Sequence, residues 1–358
     1  MRAMIAMSGG VDSSVAAWLL REQGYACEGV TLRLYRAAEE ARRGYPTCCS
    51  EEDVRDAAEV AFQLDIPHGV LDYTEDFRAA VIEPFCRAYA RGRTPNPCIE
   101  CNRSMKFEKL LFEARIRGFD VLATGHYARI CRDEESGRYL LKKALDATKD
   151  QSYVLYMLRQ SQLKHLRFPL GELTKDEVRQ IAAGLDFVNA RKHDSQDICF
   201  VPDRDYAAFL ERQAGQSWPE GDFLDEQGRV IGRHRGIIHY TVGQRRGLNL
   251  PSNRPWYVKS IDPAANTVTL CRAERLCART VWAEDVNWIA LPQLEGERRV
   301  RARVLCRQAE QPATARMEGG LLRVDFDEPQ RAPTPGQALV LYDGDAVLGG
   351  GTIWEVRT

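Results

Sequence analysis

The chain has 358 residues and a net charge of −1, with 44% hydrophobic and 28% charged residues. This length exceeds one ordinary hydrophobic core and predicts two or three domains. The near-zero charge provides no global field for nucleic acid, so an RNA partner would need local basic patches. The N-terminal apolar run is too short for a signal peptide, and no stretch approaches the ~20 apolar residues of a membrane helix. We therefore expect a cytoplasmic protein that contacts no membrane and keeps its 11 cysteines, an odd number, reduced.

Residues 1–202 alternate predicted strands and helices. The predicted strands are 3–7, 28–34, 68–73 and 120–127, and the predicted helices are 12–24, 50–65 and 75–92. Gly24 would close the first helix, and Ser50, with Asp53 three residues later, is typical of a helix N-cap. This rhythm predicts an α/β domain with a parallel sheet between helices, whose ligands bind at the carboxyl ends of the strands.

The pattern changes near residue 203, where glycine, proline and short alternating runs take over. Residues 203–275 are predicted to form a small central β-rich domain. A second strand-rich stretch, residues 276–358, is predicted to form a β-barrel.

Directly after the first predicted strand comes SGGVDSS, residues 8–14. Its two glycines permit a tight turn and close approach of the backbone to an anion, and the following helix start offers N–H groups. Three serines add hydroxyl donors, and we expect Asp12 and Ser13 to face solvent. The Gly-Lys-[Ser/Thr] end of a Walker A loop is missing. The motif predicts a phosphate site; the alternative is a plain glycine turn with Asp12 as a helix-start carboxylate.

Two later stretches lie near predicted ligand positions. Gly125 and His126 come at the end of the strand 120–127, although a lone histidine is often structural. Lys149–Gln151 precede a predicted helix, where an N-cap with solvated charge is the alternative.

Cysteines stand at two places of interest. TPNPCIECN puts Cys98 and Cys101 two residues apart, a spacing open to a redox pair, a metal site or chance. Cys199 lies among apolar neighbours and, taken alone, is typical of a buried structural cysteine in a strand or turn.

Several motifs occur together in one order. They are SGGVDSS, CCSEEDVRDA, RTPNPCIECNRSMKF, ATGHYAR, KDQSYVLY, DSQDICF, HYTVGQRRGL and TPGQALVLYDGD. The first resembles the PP-loop of ATP pyrophosphatases, and together they resemble the tRNA-specific 2-thiouridylase family over essentially the whole chain. The resemblance implies adenylation of the C2 oxygen of the tRNA wobble uridine by ATP, followed by replacement of that oxygen by sulfur. It also implies Mg²⁺ and a sulfur donor such as a cysteine desulfurase or a relay protein.

The resemblance assigns roles residue by residue. Cys101 would be the nucleophile and Cys199 the persulfide carrier, while Asp12 would help to place Mg²⁺ or the phosphates. ATP contacts fall on Ala6, Met7, Ser8, Gly9, Gly10, Val11, Asp12, Ser13, Ser14, Leu32 and Gly125. The target base would meet Asn96, Pro97 and Cys98. tRNA contacts fall on His126, Lys149, Asp150, Gln151 and Gln337.

One position departs from the family. Typical members have aspartate where this chain has Cys98, so an acid/base or orienting carboxylate is absent. Cys98, Cys101 and Cys199 would suit a [4Fe–4S] cluster with one open iron. A redox dithiol that only forms and releases a disulfide is the alternative. The adjacent Cys48 and Cys49 stay unassigned.

A row of arginines predicts a tRNA surface. Arg299, Arg301 and Arg303 alternate with small apolar residues, so on a strand they share one face suited to phosphates. The alternative is an ordinary solvated face. Arg245 and Arg246 form a second basic candidate. The family's Arg-Tyr pair is replaced by Leu305 and Cys306, which puts that tRNA contact in doubt.

Two other functions remain open from the residues. A different PP-loop enzyme, an amide-forming ligase, would need an amine site and has no use for three cysteines. A non-enzymatic RNA-binding redox sensor would have no reason to keep the loop at residues 8–14.

Overall fold

The computed structural model describes residues 1–35, 50–192, 198–201 and 205–357. They belong to two compact units. One consists of Met1–Val81, Cys98–Arg204 and Asp345–Val347, and the other of Ile82–Pro97, Asp205–Gly344 and Leu348–Thr358. Cys48 and Cys49 lie outside the described residues.

The first unit contains a five-stranded parallel sheet with strand order β3-β2-β1-β4-β7. A hairpin, β5 and β6, belongs to the same unit. The strands are β1 Arg2–Ala6, β2 Ala26–Arg33, β3 His68–Asp72, β4 Val121–Thr124, β5 Ala128–Arg132, β6 Tyr139–Lys143 and β7 Leu166–Arg167. The parallel sheet predicted from the sequence is confirmed, because alternating buried strands and amphipathic helices leave few other arrangements.

The helices of the chain up to residue 192 were only partly predicted. They are α1 Val11–Glu22, α2 Glu51–Gln63, α3 Thr74–Phe77, α4 Glu83–Ala90, α5 Pro97–Glu100, α6 Leu111–Ile116, α7 Gln160–Leu163 and α8 Lys175–Gly184; π-helical segments cover Arg78–Ile82 and Cys101–Leu110, and 3₁₀ segments Ser152–Leu155 and Pro169–Glu172. Ser50 caps α2 in a capping box with Asp53, and Gly24 follows α1 with a φ of +81°, as predicted.

The predicted helix 75–92 is divided into α3, a π-helical turn and α4. Pro84 has no N–H, and its ring crowds the carbonyl four residues earlier. A local widening of the helix just before the proline accommodates both effects. The helical stretch from Cys101 to Ile116 was not predicted.

The second unit contains two β structures. A four-stranded sheet has the order β10-β11-β8-β9, and six further strands close into a barrel through pairing of β12 with β17. The strands are β8 Gly221–Leu224, β9 Val230–His234, β10 Tyr257–Asp262, β11 Thr267–Cys271, β12 Cys277–Trp288, β13 Arg298–Arg303, β14 Gln311–Glu318, β15 Leu321–Arg331, β16 Ala338–Asp343 and β17 Ala346–Arg357. Helix α9, Tyr206–Ala214, and 3₁₀ segments Ile237–His239 and Ala273–Arg275 were not predicted. The predicted C-terminal barrel is confirmed.

Each unit has its own apolar core. In the first unit α1, α2 and α8 contribute residues that pack with β1 and β4, for example Val15, Val60 and Val178. In the second unit the barrel interior is filled by branched residues such as Val281, Val324 and Leu341. Among the described residues, no helix is both long and apolar enough to span a bilayer.

Candidate active site

The loop between β1 and α1 is shaped by two glycines. Gly9 has a φ of +73°, and a Cβ atom there would lie 2.2 Å from the carbonyl oxygen of Asp53. Gly10 is the N-cap of α1 and supplies no side-chain cap. The first N–H groups of α1 and the positive end of its dipole are therefore available to an anion.

Gly9→Ala is expected to lower the free energy of unfolding by about 2 kcal/mol or more. The left-handed conformation alone costs about 1–2 kcal/mol for a residue with a Cβ, and the contact with Asp53 adds to it. Gly24→Ala is the matched control, because Gly24 has a φ of +81° but a Cβ added there would meet nothing within 4 Å. Denaturant unfolding of both variants measures the difference; equal losses would show that the close approach to Asp53 is unimportant.

The three serines of the loop have different positions. Ser13 and Ser14 are buried, with 4% and 0% of their surface exposed, and both hydroxyls donate to the Gly10 carbonyl, at 2.9 and 3.1 Å. The Ser13 hydroxyl also accepts from the Ser8 N–H at 3.1 Å. Ser8 itself is exposed. The expectation that Ser13 faces solvent is wrong, because its hydroxyl folds the loop; Ser8 is the serine placed to meet a ligand.

Asn189 also holds this loop, although no feature of the sequence pointed to it. Its amide nitrogen donates to the Gly9 carbonyl at 3.0 Å and to the Ser14 hydroxyl at 2.9 Å, and the residue is 2% exposed. A buried amide with two donor contacts fixes the shape of the turn. Asn189 is therefore a structural partner of the anion site.

Asp12 receives two donors on the same oxygen. The Lys175 ammonium lies 2.7 Å and the Tyr127 hydroxyl 2.8 Å from Oδ1. The Lys175 side chain is 7% exposed and that of Asp12 is 31% exposed. Lys175 begins α8 behind the Thr174 N-cap, which makes it look like an ordinary first-turn residue in the sequence. A nearly buried positive charge thus lies beside the start of α1, where a phosphate chain would add negative charge.

Gly125 lies directly beside this position. A Cβ there would be 2.8 Å from the Asp12 carbonyl carbon and the Ser13 nitrogen. Only glycine allows the chain after β4 to approach the start of α1 so closely. Leu32, near the end of β2, is buried, and the Met7 carbonyl accepts from the Thr31 hydroxyl at 2.8 Å. These residues shape the carboxyl edge of the sheet where an ATP site was predicted.

His126 is buried rather than presented to a ligand. Its Nδ1 lies 2.6 Å from the Thr124 hydroxyl, and its ring packs at 5.6 Å from Phe107 and 5.7 Å from Phe168. Burial, helped by the charge of Lys106, holds its pKa well below the usual 6.5. A neutral core histidine does not favour the predicted tRNA contact, and the structural alternative fits these contacts better.

Asp150 and Gln151 also stabilise the fold. Asp150 accepts from the Ala144 and Ser152 N–H groups at 3.1 and 3.2 Å and from the Ser152 hydroxyl at 2.8 Å. Gln151 and Tyr127 exchange two hydrogen bonds, both 2.9 Å. The Lys149 side chain is partly exposed. Of these three residues, Lys149 is the one suited to meet RNA.

The cysteine motif begins a helical run. Cys98 is exposed on α5, and Cys101 is partly exposed at the first position of the π-helical segment. Between and after them, Ile99 and Asn102 are buried, at 7% and 3% exposure. The buried side chains of Ile99 and Asn102 therefore anchor this helical stretch, while the two thiols remain accessible. π-Helical turns are often found at functional sites.

Cys199 lies in a turn within the same unit and is partly exposed. Its neighbour Phe200 packs on Phe77 of α3, with ring centroids 5.7 Å apart. Helix α3 is in turn joined to the π-helical segment by an ion pair between Asp76 and Lys109. The segments that carry Cys101 and Cys199 thus pack on one short helix.

Cys86 and Cys271 differ from the three cysteines of the candidate site, because burial changes the pKa of their thiols. It raises the pKa of Cys86 and of Cys271 to about 11. Such cysteines are protonated near neutral pH and are poor nucleophiles. They are structural.

The predicted metal site is not found. Among the described residues, which include Cys98, Cys101 and Cys199, no three His, Cys, Asp or Glu side chains are grouped to hold a metal ion.

Asn96, Pro97 and Gln337 belong to the second unit. The Gln337 amide donates to the Thr94 carbonyl at 2.7 Å. This contact engages the side chain that was predicted to meet tRNA.

The predicted arginine row is a strand face, but each arginine has an acidic partner. Arg299 makes a two-pronged contact with Asp327, at 2.8 and 2.6 Å. Arg303 pairs with the Glu310 carboxylate at 3.0 Å. Arg301 lies 3.6 Å from the same carboxylate and donates to the Glu310 carbonyl at 2.7 Å. The alternating residues Val300, Ala302 and Val304 are buried, as predicted.

Replacing Arg299, Arg301 and Arg303 together by alanine is expected to weaken tRNA binding and to flatten its salt dependence. Each lost phosphate contact lowers the slope by roughly 0.7–0.9. Arg298→Ala is the control, because Arg298 is on the same strand but does not belong to the alternating row. Asp327→Asn should act in the other direction, since it releases Arg299 for a phosphate. If the triple variant binds tRNA with unchanged affinity, the prediction is wrong and the arginines are only a solvated strand face paired with acidic residues.

The fold and this site define a PP-loop α/β protein extended by β-rich domains. Residues 1–203 match the family described as tRNA methyl transferase HUP domain, 207–272 the tRNA methyl transferase PRC-barrel domain, and 278–353 the aminomethyltransferase beta-barrel domain.

Full-length relatives carry a more specific name. The tRNA-specific 2-thiouridylase MnmA of Moorella thermoacetica is 50% identical, covering 99% of this chain and 99% of that protein. The tRNA-specific 2-thiouridylase MnmA 1 of Thermoanaerobacter sp. (strain X514) is 48% identical, covering 98% and 97%. The tRNA-specific 2-thiouridylase MnmA of Clostridioides difficile (strain 630) is 46% identical, covering 98% and 98%. This chain belongs to the family of tRNA-specific 2-thiouridylases.

Proposed function

We propose that this protein replaces the C2 oxygen of the wobble uridine of tRNA by sulfur, with ATP as the activating substrate. The observation that carries the proposal is the loop at residues 8–14, where a glycine turn and an uncapped helix start meet the Lys175 ammonium. Such a site holds phosphates through N–H groups and one buried cation. Family membership gives the substrate class.

The chemistry follows from the poor leaving group. Oxide does not leave an amide-like carbon, so the C2 oxygen attacks ATP at the α-phosphate, pyrophosphate departs and AMP becomes the leaving group. Ser8 and the start of α1 would bind the phosphates. Mg²⁺ would be held by the carboxylate of Asp12, which is 31% exposed; one carboxylate completed by phosphates and water is usual for this ion. Bound there, Mg²⁺ would neutralise charge on the phosphates.

The cysteines would deliver sulfur. A persulfide on Cys199 attacks C2 and AMP leaves; the Cys101 thiolate then cleaves the sulfur–sulfur bond, leaving sulfur on the base and a disulfide between the two cysteines. A reductant must reopen that disulfide, and a sulfur donor, a desulfurase or relay protein, must reload Cys199. Asn96 and Pro97 would contact the target base. The reaction takes place in the cytoplasm with its tRNA substrate.

The test is a product analysis. Purified protein is incubated with unmodified tRNA, ATP, Mg²⁺ and a persulfide donor, and the digested nucleosides are measured by mass. Sulfur in place of oxygen on the wobble uridine, with AMP and pyrophosphate formed, is the expected result. A new carbon–nitrogen bond, an added methyl group or no ATP cleavage would overturn the proposal.

Iron analysis decides the sulfur route. Protein prepared anaerobically is expected to contain no stoichiometric iron or labile sulfide and to thiolate tRNA from the persulfide donor. Iron–sulfur absorption that tracks activity would instead support the cluster on Cys98, Cys101 and Cys199.

A further inference from the structure

The segment just before the cysteine motif is bonded to the β-barrel of its own unit. The Thr94 N–H donates to the Pro335 carbonyl at 3.0 Å, and the Gln337 amide donates to the Thr94 carbonyl at 2.7 Å. Both polar backbone groups of Thr94 are thus satisfied by residues 335–337. Residues 335–337 form the turn that leads into β16, so this turn fixes the backbone of Thr94.

The barrel side of this contact is itself fixed. The Gly336 N–H donates to the Ile353 carbonyl at 2.9 Å, and the Ile353 N–H donates to the Gln337 carbonyl at 2.7 Å. Gly336 has a φ of +94°, and a Cβ there would lie 3.1 Å from the Thr94 backbone. Strand β17 therefore holds residues 336–337, and the backbone of Thr94 packs closely on Gly336.

A second contact holds the preceding residue. The Arg93 guanidinium lies 4.2 Å from the centre of the Trp354 ring and 3.1 Å from a Glu284 carboxylate oxygen. Trp354 follows Ile353 on β17, and Glu284 is on β12. Two consecutive loop residues are thus held by the barrel, Arg93 by strands β12 and β17 and Thr94 by the turn before β16, just before the positions expected to meet the target base.

We propose that Gln337 is a positioning residue: the barrel orients the loop of residues 93–97 for catalysis through it. That the loop serves tRNA thiolation rests on the proposed function. The contact between Gln337 and Thr94 does not depend on that function. Because the Gln337 amide donates to Thr94, we expect its loss to change the geometry of the loop more than the affinity for tRNA. Small misplacements of a substrate-positioning loop lower turnover strongly.

The test compares Gln337→Glu with Gln311→Glu. The first variant keeps shape but removes the N–H donor to Thr94. Gln311 is the matched control, because its amide donates locally to the Ala309 carbonyl at 3.2 Å in the same barrel. Hydrogen exchange of the Thr94 amide, the Kd for tRNA and the kcat for thiolation are measured for both.

For Gln337→Glu we expect Thr94 exchange to rise and kcat to fall, each at least tenfold, with Kd within twofold of the wild type and no change in the control. A raised Kd with unchanged exchange would overturn the proposal and make Gln337 a tRNA contact. Unchanged exchange and kcat would also overturn it. If the variant fails to fold, Glu284→Gln, which weakens the hold on Arg93, must raise loop exchange. Exchange is independent of activity, so this test stands even if the proposed reaction is wrong.

Discussion

Lys175→Met should lower the rate of tRNA-dependent pyrophosphate release by about two to three orders of magnitude, the usual effect of removing one preorganised charge partner. The Lys175 ammonium lies 2.7 Å from Asp12 and is nearly buried. Without it, Asp12 keeps only the Tyr127 hydroxyl of the two donors on Oδ1, and its negative charge opposes the incoming phosphates. Release of labelled pyrophosphate from ATP measures the effect.

Matched variants separate chemistry from folding. Removing one partner of a buried ion pair destabilises a protein by about 3–5 kcal/mol, although the partial exposure of Asp12 reduces that cost. Lys175→Arg keeps the charge and should retain part of the activity. Tyr127→Phe removes the other donor to Asp12 without changing charge, so its loss should be smaller. If Lys175→Met is folded and fully active, the lysine has no role in binding the phosphates and the prediction is wrong.

Local signals in the sequence predicted the loop well. The glycine pair, the strand before it and the helix after it lie within a few residues of one another, so the turn and its left-handed Gly9 follow from local chemistry. The capping box at Ser50 is of the same kind. The alternation of polar and apolar residues predicted the strands of the barrel, and Val300 and Ala302 are buried as that alternation requires.

Long-range partners could not be predicted in this way. Lys175 and Asn189 reach the loop from more than 160 residues away, separations of 163 and 175 residues from Asp12 and Ser14. Nothing in their own neighbourhoods distinguishes them from an ordinary helix start and a loop amide. The sequence left the role of His126 open between a structural and a binding residue for a related reason, since its position between Phe107 and Phe168 depends on tertiary packing.

Charge patterns were equally ambiguous. The alternation of Arg299, Arg301 and Arg303 predicts a shared face, and the face exists. Its acidic partners, Asp327 and Glu310, come from β15 and from the chain before β14, which strand periodicity does not reveal. A row of arginines is thus not by itself a free phosphate surface.

Cys101→Ser and Cys199→Ser are each expected to reduce thiolation to background. In the proposed route one cysteine would release the sulfur and the other would carry it, and a serine hydroxyl does neither. Cleavage of ATP to pyrophosphate in the presence of tRNA should persist, because the loop at residues 8–14 is untouched. Cys131→Ser, on β5 and partly exposed, is the control and should keep full activity. Thiolation by either active-site variant at the wild-type rate would contradict the persulfide route.

Cys98→Asp distinguishes the two sulfur routes. This change introduces the carboxylate that the family resemblance leads us to expect at this position. Cys98 is exposed on α5, so the fold should tolerate it. If Cys199 carries a persulfide, Cys98 is a helper at most and the variant should keep activity within about tenfold of the wild type, one factor of ten being about 1.4 kcal/mol of barrier. If the three cysteines hold a cluster, a hard oxygen ligand replaces a soft thiolate, and iron and activity should be lost together. The proposed persulfide route predicts the first result. Complete inactivation of anaerobically prepared Cys98→Asp with loss of iron would contradict it.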